Sequence, residues 1–337
     1  MPELLEIRDL HVHFSTRDGV VRAVEGAELS IERGRTLGVV GESGSGKSVT
    51  ALTVMGLTRL PNASISGEII FDGIDLIKLP DRELRRVRGK RIAMIFQDPL
   101  SSLHPLFKVG WQIVEAICTH EDISKKEARV RAIAALTEVG IPSPEKRIDS
   151  YPHELSGGMR QRVMIAMALS LKPDVLIADE PTTALDVTVQ AQILDLIRHL
   201  RDEYGTAVIM ITHDLGVIAE LADEIAVMYA GRVMERSPRK ELFTTPELPY
   251  TWGLMRSIPR LDAPRTDRLE PIAGLPPSLI RIPSGCPFHP RCPYAMDVCK
   301  KVEPVLTESK PEHLVACHLP KEKRQSIGRD LQAEFAT

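Results

Sequence analysis

Residues 36–57 have the sequence TLGVVGESGSGKSVTALTVMGL, which is the most informative part of the chain about its fold. The compact apolar run Thr36–Val40 predicts a buried strand, and the apolar segment Val49–Leu57 predicts a helix. Between them, Gly41–Ser48 fits the pattern G-x-x-x-x-G-K-[ST]. Glycines let the backbone wrap a phosphate so that successive N–H groups point at it, and the helix start adds the positive end of its dipole. A strand, a loop and a helix in this order predict a nucleotide-phosphate site rather than a turn that binds nothing.

The loop residues have separate roles in this prediction. Lys47 supplies a point charge for the β- and γ-phosphates of ATP, and the Ser48 hydroxyl is the expected Mg²⁺ ligand. The other residues expected to cradle the nucleotide are Gly41, Glu42, Ser43, Gly44, Ser45 and Gly46.

A second apolar run ends in two adjacent acids, Asp179 and Glu180, in the segment VLIADE of residues 175–180. Side chains alternate along a strand, so neighbours at its end can take different tasks. Asp179 is expected to hold Mg²⁺ through water, since Mg²⁺ usually keeps several waters. Glu180 is expected to accept a proton from the attacking water or to orient it. Without the upstream loop, the pair would equally fit two solvated acids at a strand end.

The remaining pattern extends this unit into an α/β fold. Strand signals at 175–178, 207–211 and 225–229 alternate with helical stretches at 159–171 and 187–203, which predicts a mainly parallel sheet with covered faces. Residues 4–35 are expected to form short strands with turns at Asp18-Gly19 and Arg33-Gly34, and residues 67–76 a hairpin around Asp72-Gly73. Helical spacing at 109–120 and 125–139 predicts a helical block inserted into the sheet.

Composition limits the function classes. The chain has 337 residues, 43% of them hydrophobic and 26% charged, and a net charge of −3, so it lacks the basic excess usual for nucleic-acid binding. No apolar stretch approaches the ~20 residues that cross a bilayer. The amino-terminal MPELLEIRDLHVHF has neither a basic region nor a continuous apolar region, which predicts no signal peptide. We therefore expect a cytosolic protein whose membrane association depends on a partner.

A third motif indicates that two chains work together. Residues 155–162, LSGGMRQR, place Ser156, Gly157 and Gly158 at a helix start, which is a second anion-binding helix N-terminus. One nucleotide does not need two such sites in one chain, whereas two chains arranged head to tail would use one from each. The LSGG sequence resembles the signature motif of ABC-transporter ATPases.

Further motifs in the order of that family strengthen the resemblance. Gln97 in IFQDP is similar to the Q-loop glutamine, which senses the γ-phosphate, contributes to the Mg²⁺ site and contacts membrane subunits. Residues 183–186, TALD, resemble the D-loop with Asp186, and His213 in ITHD resembles the switch histidine. Phe14 is the best match for the aromatic residue that stacks on adenine, although it could equally be a core residue of a strand.

The resemblance covers residues 4–245 and implies how these residues act. It implies an ABC ATPase core over 1–245, with a mainly parallel sheet, an antiparallel β subdomain and a helical subdomain at about 98–165. Two ATPase subunits would enclose two ATP molecules, with the loop, acids, Gln97 and His213 of one facing Ser156 and Gly158 of the other. Hydrolysis would release the pair, and the helical insertion would pass the movement to membrane subunits.

Four of the five cysteines lie in the last quarter of the chain, with the spacing C-x5-C-x6-C-x17-C, at Cys286, Cys292, Cys299 and Cys317. This spacing differs from the C-x2–4-C pairs of structural zinc sites and from the ferredoxin pattern. The clustering of the cysteines in a reducing cytosol favours ligands of a metal or a cluster, and unligated thiols and disulfides are the alternatives. His289, His313 and His318 lie nearby and keep zinc as a further alternative. Cys118 is expected to be a small core residue.

The segment around the cysteines resembles the C-terminal extension of the D-type ATPase subunits of oligopeptide and dipeptide importers, some of which carry a [4Fe–4S] cluster on four such cysteines. The carriers of this resemblance are LPPSLIRI and CPFHPRCPY. We assign this extension to residues 246–337.

The resemblance implies an ATP-hydrolysing subunit of a di- or oligopeptide importer at the cytoplasmic face of the inner membrane. Its expected partners are two transmembrane permease subunits, a second ATPase subunit that is a paralogue or a second copy, and indirectly an external peptide-binding protein. Nucleic acid is not expected. The alternatives are an importer of nickel or another small solute, and a soluble ABC ATPase acting on DNA or ribosomes.

Overall fold

The computed structural model describes residues 3–98, 102–182, 187–257 and 272–336. The chain forms two compact units. The first, here called the helical unit, comprises Met1–Leu4, Ile31–Thr36 and Lys78–Ile211. The second, here called the P-loop unit, comprises Leu5–Ser30, Leu37–Ile77 and Thr212–Thr337.

Twelve strands lie within the described residues. They are β1 (Leu5–Thr16), β2 (Gly19–Ile31), β3 (Thr36–Val40), β4 (Ala63–Phe71), β5 (Ile74–Asp75), β6 (Ile92–Ile95), β7 (Val175–Asp179), β8 (Ala207–Thr212), β9 (Glu224–Tyr229), β10 (Arg232–Pro238), β11 (Thr307–Lys310) and β12 (His313–Val315).

The described α-helices and two short 3₁₀ turns follow in chain order. They are α1 (Lys47–Val54), α2 (Asp81–Val87), α3 (Val109–His120), α4 (Lys125–Glu138), α5 (Pro144–Arg147), a 3₁₀ turn at Pro152–Glu154, α6 (Gly157–Leu169), α7 (Val187–Tyr204), α8 (Leu215–Leu221), α9 (Arg239–Thr244), α10 (Pro249–Arg256), a 3₁₀ turn at Asp297–Lys300, and α11 (Lys321–Ala336).

The P-loop unit contains strands in two arrangements. Strands β2, β1, β4 and β5 lie side by side in that order, with β4 antiparallel to both β1 and β5. Strands β3 and β9 are parallel, and β10, β12 and β11 continue from β9 with antiparallel pairing. The last two strands come from the carboxy-terminal extension, which therefore adds to the edge beside β10.

The helical unit contains three parallel strands in the order β6, β7, β8. All five residues of β7 are buried, as are all residues of β8 within this strand's range. Continuous apolar strands of this kind are typical of parallel strands covered on both faces. Helix α4 begins with a capping box in which Ser124 and Glu127 satisfy each other's backbone N–H groups.

The α/β class predicted from the sequence is confirmed. The main difference is in the amino-terminal region, where two long strands of 12 and 13 residues replace the expected short ones. The hairpin predicted at Asp72-Gly73 is confirmed, and both residues have positive φ angles, of 50° and 80°. Such angles match the tight turn between β4 and β5.

The carboxy-terminal extension forms more regular structure than its proline content indicated. Strands β11 and β12 and helices α10 and α11 all lie beyond residue 245. The P-loop unit contains both the phosphate loop and this extension. The boundary between residues 245 and 246 stays a prediction.

Candidate nucleotide-binding and hydrolysis site

The phosphate loop follows β3 and leads into α1, as the sequence predicted. Its backbone needs glycine at two points. Gly41 has φ 149°, and a Cβ there would lie 2.2 Å from the carbonyl oxygen of Met228. Gly46 has φ 104°, and a Cβ there would lie 2.6 Å from the carbonyl oxygen of Ala23. The glycines therefore allow close backbone packing under the loop, while Ser43 and Gly44 at its tip are exposed.

Lys47 turns back onto its own loop. Its Nζ donates to the carbonyl oxygens of Gly41 at 2.6 Å and Glu42 at 2.9 Å, and to the Ser45 hydroxyl at 3.2 Å. The side chain is only 6% exposed. The positive charge is thus held at the loop, where a bound phosphate would replace these oxygens as the partner of Lys47. Ser48 follows Lys47 in the first turn of α1.

His213 lies beside this loop within the P-loop unit. It is exposed at the end of β8, and a pocket is lined by Val40, Gly41, His213, Asp214, Leu215, Leu254 and Ser257. Asp214 caps α8 by accepting a hydrogen bond from the Gly216 N–H at 2.8 Å. The start of α8 therefore fixes the backbone next to His213.

The helical unit brings together the two acids and the Q-loop residue. Asp179 ends β7 with 4% exposure. Gln97 Nε2 donates to Glu180 Oε2 at 2.8 Å. Glu180 has a positive φ of 47°, which is uncommon for a residue with a side chain and is found at functional sites. The carboxylate expected to act on water is thus held by the predicted γ-phosphate sensor.

The signature segment presents an exposed helix start. Ser156 is the N-cap of α6, and its Oγ accepts from the Met159 N–H at 3.3 Å. Ser156 and Gly157 are exposed, whereas Leu155 just before them is 3% exposed and anchors the segment. An exposed helix N-terminus can bind an anion from another molecule.

The remaining predicted site residues are Phe14 and Asp186. Phe14 lies near the end of β1, paired with Ala63 of β4, and is partly exposed. Asp186, with the rest of the predicted D-loop at 183–186, lies outside the described residues.

The four carboxy-terminal cysteines line one pocket, together with apolar residues such as Leu248 and Phe288. Burial raises the pKa of the Cys286 thiol to about 12 and that of the Cys317 thiol to about 11. Burial also raises the pKa of Cys292. Cys118 lies on α3 in the helical unit, is partly buried and does not line this pocket.

The three histidines near this pocket differ in their surroundings. His289 and His318 line the pocket, and their rings contact the carbonyl oxygens of Cys286 and Val302, each at 2.9 Å. His313 instead lies fully buried, with Nε2 at 2.9 Å from Glu235 Oε1. His313 thus belongs to a buried hydrogen-bond network around Glu235, which also accepts from the Glu247 N–H and the Thr251 hydroxyl.

Sequence reasoning missed the side-chain role of Glu42. Arg291, from the CPFHPRCPY segment, forms an ion pair with the Glu42 carboxylate at 2.6 Å. The separation of 249 residues explains why no local pattern indicated this pair.

Among the helices in the described part of the chain, none is both long enough and apolar enough to cross a bilayer.

Comparison with known families gives two matches. Residues 24–183 match the family model described as ABC transporter. Residues 234–299 match the model described as oligopeptide/dipeptide transporter, C-terminal region.

Curated relatives match almost the whole chain. The oligopeptide transport ATP-binding protein OppD of Salmonella typhimurium is 51% identical over 320 residues, which is 95% of this chain and 95% of the relative. The dipeptide transport ATP-binding protein DppD of Bacillus subtilis is 49% identical over 96% of this chain and 97% of the relative.

Solved structures agree with these matches. The ATP-binding cassette MJ0796, in a dimeric post-hydrolysis state bound to ADP and Pi, has a TM-score of 0.64 and 28% identity, covering 70% of this chain and 98% of that one. CbiO1 of Clostridium perfringens, part of the ABC transporter complex cbiONQ, has a TM-score of 0.60 and 30% identity over 72% of this chain and 91% of that one. The chain therefore belongs to the ABC transporter family and is one of its ATP-binding, ATP-hydrolysing proteins.

Proposed function

We propose that this ATPase powers the import of dipeptides or oligopeptides. The observation that carries the proposal is the match of residues 234–299 to the C-terminal region of oligopeptide/dipeptide transporters. The identity of about half of all residues to relatives named for oligopeptide and dipeptide transport supports it.

The proposed chemistry divides between two copies of the ATPase fold. Lys47 and the loop backbone bind the phosphates, and Ser48, Gln97 and Asp179 supply the hard oxygen ligands that Mg²⁺ prefers. Glu180, held by Gln97 at 2.8 Å, orients or deprotonates the water. Ser156 and the two glycines after it bind the same nucleotide from the partner subunit, and His213 senses its γ-phosphate.

The proposed partners are two transmembrane permeases, a second ATPase subunit and, indirectly, an external peptide-binding protein. The chain would then lie at the cytoplasmic face of the membrane, attached through the permeases. The lack of a membrane-spanning helix among the described residues is compatible with this attachment.

Transport by the whole complex tests this proposal. The chain is co-expressed with its two permeases and a peptide-binding protein, and the complex is reconstituted in vesicles with ATP on the ATPase side. The vesicles are then supplied with a labelled tripeptide or with Ni²⁺. We expect ATP-dependent peptide uptake that Glu180→Gln abolishes. Uptake of Ni²⁺ without peptide would show that the solute is misassigned.

For the four cysteines we propose a [4Fe–4S] cluster rather than a zinc ion. Within the described residues, three metal-ligand atoms lie within 4.8 Å of one another only at His11, His13 and Glu25, so no three of the cysteine sulfurs do. Tetrahedral zinc with Zn–S bonds of about 2.3 Å needs sulfurs about 3.8 Å apart. A four-iron core holds its thiolates further apart, and the thiols that line the pocket fit that donor set. When bound, such a cluster would link the four cysteines of the extension to one another through iron–sulfur bonds.

Anaerobic purification tests the cluster. We expect a brown protein with iron and acid-labile sulfide, and a loss of both in Cys292→Ser. The control Cys118→Ser should keep them, because this thiol does not line the pocket. Colourless protein that contains zinc would contradict the cluster assignment and leave peptide import untouched.

A further inference from the structure

Arg291, which lies outside the phosphate loop, forms an ion pair with Glu42, the second residue of that loop. The guanidinium donates to both carboxylate oxygens, from Nη1 at 2.6 Å and from Nη2 at 3.0 Å. The Arg291 side chain is 5% exposed and that of Glu42 is 26% exposed. A two-point ion pair with one shielded partner fixes orientation as well as charge.

The guanidinium is itself held in place. Its Nε donates to the Ala273 carbonyl at 2.9 Å, Nη2 to the Ile272 carbonyl at 3.3 Å and Nη1 to the Tyr229 hydroxyl at 3.4 Å. With the two bonds to Glu42, these contacts match the five N–H donors of an arginine. A lysine cannot reproduce this planar arrangement.

Both backbone groups of Glu42 are also engaged. Its N–H donates to the buried Tyr250 hydroxyl at 2.8 Å, and its carbonyl oxygen accepts from Lys47 Nζ at 2.9 Å. Displacing Glu42 would therefore displace the groups that surround the phosphate-binding lysine.

Residues 286–317 are here called the four-cysteine segment. Arg291 lies in this segment, between Cys286 and Cys292, so the ion pair joins the segment to Glu42. The Arg291 N–H donates to the Phe288 carbonyl at 3.0 Å. The Phe288 ring packs against the rings of Tyr229 and Tyr250, with centroids 5.2 and 5.3 Å apart. An ion pair and an aromatic cluster thus join the cysteine segment to the loop within the P-loop unit.

We propose that Arg291 is a positioning residue for ATP binding, through which the fold of the four-cysteine segment sets the nucleotide affinity of the phosphate loop. This inference rests on the proposed role of the loop in ATP binding. It does not depend on which metal group the cysteines hold, because the contacts belong to Arg291 and Glu42.

Nucleotide affinity separates positioning from a general structural role. Binding of a fluorescent ATP analogue to the full chain is measured for Arg291→Gln and Arg291→Lys, together with thermal unfolding. We expect Arg291→Gln to weaken binding on the order of tenfold to a hundredfold. Arg291→Lys keeps the charge but loses the two parallel hydrogen bonds to Glu42. It should therefore fold but bind the ATP analogue several-fold more weakly than the wild type.

Arg236→Gln is the matched control. Arg236 lies on β10 in the same unit, its side chain is 16% exposed and it forms a two-point ion pair with Glu224 at 2.7 Å, but it does not contact the phosphate loop or the four cysteines in any described hydrogen bond or ion pair. Its loss should lower the melting temperature and leave nucleotide affinity unchanged. Equal affinity in wild type, Arg291→Gln and Arg291→Lys would overturn the inference, whereas failure of the wild type to bind ATP would overturn the proposed function.

A double-mutant cycle tests the link to the cysteines. Cys292→Ser should weaken nucleotide binding in the wild type and cause little further loss in the Arg291→Gln background, because both changes act through one contact. Independent losses that add in free energy would contradict transmission through Arg291.

Discussion

At the residue scale, the site depends on backbone positions where few residues fit. Glu180 has a left-handed backbone conformation directly after a buried strand, and Gly41 packs against the Met228 carbonyl. Such conformations persist only where the surroundings hold them, and they cluster at functional sites. Both positions therefore give sharp tests of the proposed chemistry.

Glu180→Gln should keep nucleotide binding and lose turnover. The amide cannot accept a proton from water, so we expect the ATP hydrolysis rate to fall about 100- to 10,000-fold. A phosphate-release assay beside nucleotide-affinity measurements checks this result, and Glu145→Gln, an exposed acid on α5, should leave both unchanged. Undiminished hydrolysis by Glu180→Gln would mean that another group activates the water.

Gly41→Ala should abolish nucleotide binding. The added Cβ would lie 2.2 Å from the Met228 carbonyl oxygen, so the loop must move. Gly73→Ala is the control, because it has φ 80° but no atom within 4 Å of its Cβ. It should cost about 1–2 kcal/mol of folding free energy from backbone strain alone. Isothermal titration with ATP and urea unfolding distinguish the two variants, and normal ATP affinity of Gly41→Ala would contradict the close packing.

At the element scale, the N-caps of helices and the buried hydrogen bonds of the extension differ in what they contribute to function and to stability. The cap of α6 by Ser156 resembles the cap of α4 by Ser124, yet only the first lies in the signature segment. In the extension, the Glu247 carboxylate accepts from Ser309 at 2.6 Å and from Arg324 at 3.2 Å. Stability and function can therefore be separated by comparing matched elements.

Ser156→Ala and Ser124→Ala should each cost about 1 kcal/mol of stability, since each removes an N-cap. Only Ser156→Ala should also lower ATP hydrolysis, because that hydroxyl is proposed to contact the partner's nucleotide. Ser156→Asp keeps a capping oxygen but adds negative charge, so it should fold normally and hydrolyse poorly. Thermal unfolding and ATPase assays decide; equal ATPase rates in all variants would contradict the role of the signature segment.

The extension should lose stability in acid through Glu247. Burial raises the pKa of this carboxyl, but hydrogen bonds from Ser309, Gln325 and Arg324 and the charge of His313 outweigh burial and lower the pKa below 4.5. A lowered folded-state pKa means that the contribution is complete above about 4.5 and is lost as the pH falls through the folded value.

Glu247→Gln should therefore be destabilised at pH 7, by about 3–5 kcal/mol because Arg324 keeps a buried charge. Its stability should also fall less steeply with acid than that of the wild type. Urea unfolding between pH 3 and pH 7, a range chosen to bracket the usual glutamate pKa, measures both effects. Parallel curves for the two proteins would show that this carboxylate is not responsible.

At the scale of the whole molecule, the proposed cycle requires two ATPase subunits. The exposed Ser156 and Gly157 are available to a second chain, and the solved cassette MJ0796, which is 28% identical, is a dimer bound to ADP and Pi. ATP would favour the closed pair because its phosphates contact both chains.

Glu180→Gln should therefore form a dimer when Mg²⁺ and ATP are added, alone or with the second ATPase subunit of its complex. Light scattering after size-exclusion chromatography measures the mass. Without nucleotide, and in the double variant that also carries Ser156→Asp, the mass should remain that of separate chains. A mass that does not respond to ATP would contradict the shared nucleotide.

Local sequence determined much of the fold. Strand β3, helix α3 and the hairpin at Asp72-Gly73 follow from contiguous apolar runs, helical spacing and turn residues. The phosphate loop and the two acids at the end of β7 were predictable for the same reason, since their chemistry is carried by adjacent residues. The long β1 and β2 were not, because polar residues alternate within them and obscure their length.

Contacts between residues far apart in sequence could be identified only once the chain is folded. Gln97 and Glu180 are 83 positions apart and Glu42 and Arg291 are 249 apart, so no local periodicity links them. The same holds for the strands β11 and β12, whose short sequences become strands by pairing beside β10. The nucleotide chemistry could therefore be predicted from the amino-acid sequence alone, because it is carried by contiguous motifs. Packing decided how the cysteine segment reaches the phosphate loop, because that contact exists only when remote segments fold together.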